Sequence, residues 1–136
     1  MRNLIVLTSL LLCLFWSAGA QSRSVKDGVY SKAQAGRGGA TYKESCFVCH
    51  GETAKGGDSG PALSGENFMD NWNGRTLGDL FDKISTTMPA SDPGTLKPEQ
   101  YGDLVAFLLA ENGFPAGQKD LERDAKALQQ IRIEPK

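Results

Sequence analysis

Two stretches of the chain have residue types and spacing suited to chemistry: Cys46-Phe47-Val48-Cys49-His50 and the step Met88-Pro89. Cys-x-x-Cys-His is the attachment sequence of covalent haem c. Each cysteine sulfur can form a thioether to one haem vinyl group, and the adjacent histidine then sits beneath the iron as proximal ligand. The two-residue spacing lets both sulfurs reach vinyls on the same side of the haem edge.

His50 is the only histidine. A structural zinc site needs more Cys or His ligands than the chain offers after its first segment, and a thioredoxin-like redox pair needs a βαβ setting that is absent. With no second histidine, bis-histidine ligation is excluded. The sixth ligand is therefore methionine, lysine, water or nothing. Met69 lies in an apolar cluster with Phe68 and Trp72 and reads as core packing. Met88 follows an amphipathic stretch, sits in a polar Thr-Thr-x-Pro segment and is fixed by Pro89, so its sulfur can reach an iron from the face opposite His50.

The chain has 136 residues, and its first twenty read as a secretory signal peptide. Arg2 supplies the positive start, Leu4 to Trp16 an apolar run, and Ala18 and Ala20 the small-residue cleavage pattern, with cleavage after Ala20. The run is short of the roughly 20 residues a membrane span requires, so no stable membrane insertion is expected after cleavage; an uncleaved anchor is the alternative. Cys13 is lost with this segment, leaving Cys46 and Cys49. A disulfide between them is conceivable in an exported protein, but His50 directly behind the pair favours haem. Losing Arg2 takes the fifteen basic residues to fourteen against sixteen acidic ones, a formal charge of −2. That balance excludes the basic stripe of a nucleic-acid binder and a polybasic membrane patch.

The segment 21–30 is polar and expected to be extended. Ser31 to Gln34 has the form of a capping box, so a helix can run from near Lys32 towards Cys46. Gly38, Tyr42 and Cys46 then share one face, the glycine allowing a second helix to cross at close range. In the alternative, Gly36, Gly38 and Gly39 mark a loop and the helix begins only at Ala40. Residues 51–60 form a Gly/Asp/Ser/Thr loop, and Phe68 to Trp72 a turn or one helical turn. Thr76 to Asp79 is a capping pattern for a helix carrying Leu77, Leu80, Phe81 and Ile84, which ends before Pro89. Pro98 suits a first helical position. Tyr101, Leu104, Val105, Phe107, Leu108 and Leu109 form the apolar face of that helix, which stops at Asn112-Gly113. A final amphipathic stretch carries Leu121, Ala125 and Leu128, followed by Ile131 and Ile133. No strand-rich region is visible.

From Ser31 to Gly113 the chain resembles class I c-type cytochromes with a single His/Met-ligated haem. The marks are Gly38-x-x-x-Tyr42-x-x-x-Cys46, Cys46-x-x-Cys49-His50-Gly51, Gly60-Pro61-x-Leu63, Trp72, Met88-Pro89 and Leu104-x-x-Phe107. The resemblance implies an all-α cytochrome c fold, three to five helices around one covalently bound haem c. It implies that Gly38 and Tyr42 cross against Leu104 and Phe107, that the Pro61 carbonyl accepts a hydrogen bond from the His50 ring, and that Trp72 reaches a haem propionate. The cofactor-binding set is then Cys46, Cys49, His50, Met88, Pro61 and Trp72, with His50 and Met88 on the metal and no catalytic residue. The tail from Phe114 is similar to the ends of haem domains found with quinoprotein dehydrogenases.

The expected organisation is a signal peptide (1–20), an extended segment (21–30), a cytochrome domain (31–113) and a C-terminal extension with an amphipathic helix (114–136). The expected function is an exported, periplasmic one-electron carrier, not an enzyme. Its donor and acceptor are redox proteins: a quinoprotein dehydrogenase on one side, a terminal oxidase or other cytochrome on the other, with no nucleic acid. The rival is a haem enzyme or gas-binding sensor whose sixth iron position is open.

Overall fold

The computed structural model describes residues 23–136; the proposed signal peptide, its cleavage point and Cys13 lie outside the described residues. The element order is β1 (Arg23–Ser24), a 3₁₀ turn (Val25–Asp27), α1 (Lys32–Ser45), α2 (Phe47–His50), α3 (Glu66–Trp72), α4 (Leu77–Thr87), α5 (Pro98–Glu111), α6 (Ala125–Leu128) and β2 (Ile131–Arg132). Four helices carry the architecture, and α2 and α6 are single turns. This is the all-α arrangement expected. Among the described residues no helix is long and apolar enough to cross a membrane.

The dominant packing is α1 against α5. Gly38 sits at the crossing, where an added Cβ would lie 1.9 Å from the Asp103 carbonyl oxygen and 2.8 Å from Phe107 Cβ. Beside it the Tyr42 and Phe107 rings pack at 4.8 Å between centroids. The three glycines of α1 thus lie inside a helix, and Gly38 is there because only hydrogen fits. Ser31 caps α1, its side chain accepting from Gln34 N at 3.0 Å. Gln34 does not close a capping box. Its buried amide instead donates to Leu121 O at 3.2 Å and accepts from Leu121 N at 2.6 Å.

α4 begins with a full capping box: Thr76 accepts from Asp79 N, and Asp79 accepts from Thr76 N at 3.0 Å. These bonds, the backbone one foremost, hold the Asp79 carboxyl below the usual carboxylate range. α5 starts on Pro98 and ends at Asn112, with Gly113 at φ 69°.

Both ends of the described chain differ from expectation. Residues 23–30 are not simply extended: Ser24 and Asp27 cap the 3₁₀ turn reciprocally, and Val25, Val29 and Tyr30 are buried. The amphipathic helix expected in the tail is only the four residues of α6. Beyond it β2 pairs in parallel with β1, Ile131 opposite Arg23 and Arg132 opposite Ser24. Leu121, Leu128, Ile131 and Ile133 enter the main core with Leu77, Val105 and Leu109. The tail is part of the fold because its apolar residues have no other face to cover and its backbone completes the edge of β1.

Three stability outcomes follow. Gly38→Ala should cost about 3 kcal/mol, since a carbonyl blocks the new methyl. Gly36→Ala, on an exposed stretch with nothing within 4 Å, should stabilise by up to about 1 kcal/mol. Denaturant midpoints check both, and equal effects would contradict the crossing. Deleting residues 118–136 removes four buried aliphatic side chains, on the order of 8 kcal/mol of burial. That rivals a whole domain's stability, so the truncated chain should lose cooperative unfolding.

Candidate haem site

The crossing sets where α1 ends, and its end sets the motif. Cys46 N donates to Tyr42 O at 2.8 Å as the last bond of α1, and Cys46 then leaves helical geometry at φ −127°, ψ −35°. The chain turns at once into α2, where His50 N donates to Cys46 O at 3.0 Å. Tyr42 fixes the far end of the turn, its hydroxyl donating to Gly51 O at 2.7 Å. One buried tyrosine therefore clamps both flanks of the motif.

The glycine-rich loop is cast around this turn. A Cβ on Gly60 would stand 2.8 Å from Cys49 O and 2.9 Å from His50 Nδ1. Pro61 O lies 2.8 Å from His50 Nδ1. A proline carbonyl can only accept, so Nδ1 carries the proton and the Nε2 lone pair is left free. His50 is 8 % exposed, and this bond satisfies the nitrogen that burial would otherwise penalise.

Cys46, Cys49 and His50 line a cavity of about 640 Å³ together with Pro61, Leu63, Phe68, Trp72, Leu80, Ile84, Met88, Leu104 and Leu108. Both thiols are free. Burial, and then the neighbouring Cys49, push the Cys46 thiol up to about 11. Burial and then Cys46 push Tyr42 up to about 12. A wall that disfavours a thiolate suits an uncharged thioether better than a metal–thiolate bond.

Met88 caps the C-terminus of α4 in extended geometry, its N–H donating to Ile84 O at 3.0 Å. α5 holds the same segment. The buried Tyr101 hydroxyl donates to Met88 O at 3.3 Å and accepts from Leu96 N at 3.3 Å. Met69 does not line this cavity; it packs on the main core and faces a separate recess with Glu66, Asp70 and Phe114.

All six sequence-derived site residues therefore line one cavity. Sequence reasoning missed two others. Tyr101 read only as part of an apolar face, although it holds the Met88 segment. Arg75 went unmarked, yet its guanidinium lies over the Trp72 ring at 4.9 Å and lines the same cavity. Its spacing from Trp72, three residues on, was the available signal.

Residues 33–108 match the family model described as cytochrome c oxidase, cbb3-type, subunit III. That is more than half of the chain, and the chain belongs to this family. It is a c-type cytochrome. Its cofactor is covalently bound haem c, and the cavity fits it: two free thiols and an oriented imidazole on one stretch, apolar walls, and a thioether from another element. The cytochrome is also similar to a solved structure, the sulfane dehydrogenase SoxCD from Paracoccus pantotrophus, with 25% identity and a TM-score of 0.53. The likeness covers 82% of this chain and 60% of that one, so the cytochrome spans about three fifths of the chain it resembles. No curated protein matches.

Covalent attachment is directly checkable. Acidified acetone should leave the haem with the wild-type chain and with either single Cys→Ala variant. It should strip all haem from the Cys46→Ala/Cys49→Ala double variant. Haem released from the wild type would show that it is not covalently held, and haem kept by the double variant would place attachment elsewhere.

Proposed function

We propose that the cytochrome is an exported one-electron carrier in which Cys46 and Cys49 hold the haem by thioethers and His50 and Met88 are its axial ligands. The observation that carries this reading is that His50 and Met88 line one cavity and are each held from behind by a different element. Pro61 O orients the His50 ring, and the Tyr101 hydroxyl fixes the Met88 backbone.

Bound haem c supplies an iron that passes between ferrous and ferric, one electron at a time. A thioether is a soft, neutral donor, so Met88 favours the ferrous state and raises the potential relative to harder ligands. The hydrogen bond to Pro61 strengthens His50 as a donor. With both ligand segments pinned, little rearrangement accompanies a change of charge, which suits fast electron transfer and leaves no open position for a substrate. This is the basis for reading a carrier rather than an enzyme or gas sensor.

Phe47 and Val48, between the cysteines, are 43% and 74% exposed, so the attachment edge is close to solvent and apolar. That favours brief docking over a small area, and the mixed surface charge gives only moderate steering. The similarity to a sulfane dehydrogenase chain supports a dehydrogenase as donor; a terminal oxidase or another cytochrome is the acceptor. Residues 1–20 are removed on export to the periplasm, residues 31–113 hold the haem, and residues 114–136 complete the domain.

Met88→Ala should abolish the weak far-red band of methionine-ligated ferric haem, whereas Met69→Ala should keep it. Loss of the band in the Met69 variant alone would make Met69 the ligand and overturn the assignment of Met88.

A further inference from the structure

The tail's contacts with the turn between α3 and α4 have a use that burial does not explain. Trp72 to Arg75 is a type II turn, with Asn73 at φ −56°, ψ 131°, Gly74 at φ 78° and Arg75 N donating to Trp72 O at 3.0 Å. The turn folds Arg75 back over the indole. The tail binds three successive residues here, Gly74, Arg75 and Thr76. Gly74 N donates to Ile133 O at 2.8 Å, and Ile133 N donates to Arg75 O at 2.9 Å. The Arg132 guanidinium donates to Gly74 O at 2.7 Å. The Thr76 hydroxyl donates to Gln129 Oε1 at 2.7 Å, and Gln129 also reaches Asp79.

We propose that the tail is a strap that positions Arg75 against a haem propionate, so that residues 129–133 set the reduction potential. This rests on the haem occupying the cavity described above. Haem carries two carboxylates, and an apolar cavity must answer them with cations or donors. Only Arg75 and Lys83 among the lining residues are cationic, and neither has an ion-pair partner among the described residues. The Trp72 indole N–H, on the same turn, likewise donates to no protein group among them. Arg75 is the better fit of the two cations. Its planar fork matches a carboxylate, stacking on Trp72 restricts its side chain, and the strap holds its backbone. Lys83 is held only by its own helix.

The sign is set by charge. A cation beside a propionate lowers the negative potential at the iron and favours the ferrous form; losing it favours the ferric form. Arg132 is a positioning residue, acting through Arg75.

Potentiometry on the holo-cytochrome tests this through a double-mutant cycle. At fixed poise, Arg75→Gln should shift the ferrous-to-ferric ratio about fivefold towards ferric, and Arg75→Lys should recover most of that shift. Arg132→Met should shift it the same way by about twofold when Arg75 is present, and not at all in the Arg75→Gln background. An unchanged ratio in Arg75→Gln overturns the propionate contact. An equal effect of Arg132→Met in both backgrounds overturns the strap, because Arg132 would then act through its own charge. The far-red band read in the same samples separates this from the axial-ligand reading: its absence from the wild type would refute Met88 ligation while the ratios still decide the strap.

Discussion

The structure depends on one place where two helices touch with no side chain between them. At Gly38 the backbones of α1 and α5 approach so closely that even a methyl group has no room. Arg37, the residue before it, locks the contact by pairing both of its donor arms with Asp103, at 2.9 and 3.1 Å, and reaching Asp120 in the tail. Asp103 is only 5% exposed, and a bidentate pair is the geometry in which a buried carboxylate is tolerated. Hydrogen bonds to Asp103 and then Asp120 raise the already high Arg37 pKa further, so the guanidinium stays charged wherever the protein is folded.

Both proposed axial ligands inherit their positions from that crossing. α1 ends at Cys46 and delivers the attachment turn with its histidine. α5 brings Tyr101 beneath the Met88 segment. Moving one helix relative to the other would change the distance between the two ligand segments, so a contact without slack is what a ligand pair of constant geometry requires. The tail reinforces the arrangement from outside, bonding α1 through Gln34 and Asp120 and the α3–α4 turn through Ile133.

Much of this was legible in the sequence because the signals are local. Cys-x-x-Cys-His, the Thr76–Asp79 capping box and Pro98 opening α5 each depend on residues within one turn of each other. The close crossing was legible through Gly38 and Tyr42 at helical spacing. What escaped was non-local. Gln34 matched a capping pattern, but its amide finds Leu121, 87 residues away. Leu121, Ala125 and Leu128 fit a helical spacing, whereas only Ala125–Leu128 is helix and the Ile131 that follows pairs as strand. The loop glycines marked no more than a loop, yet Gly60 is a steric necessity beside His50. Tyr101 and Arg75 acquire meaning only once other elements surround them.

In the carrier proposed above, the iron is closed on both faces by this chain's own residues. Rapid mixing of the reduced cytochrome with carbon monoxide tests it most directly. With Met88 proposed at the sixth position and its segment held by Tyr101, the reduced spectrum should stay unchanged on the mixing timescale. Immediate formation of a carbon monoxide adduct would contradict it and point instead to an open iron.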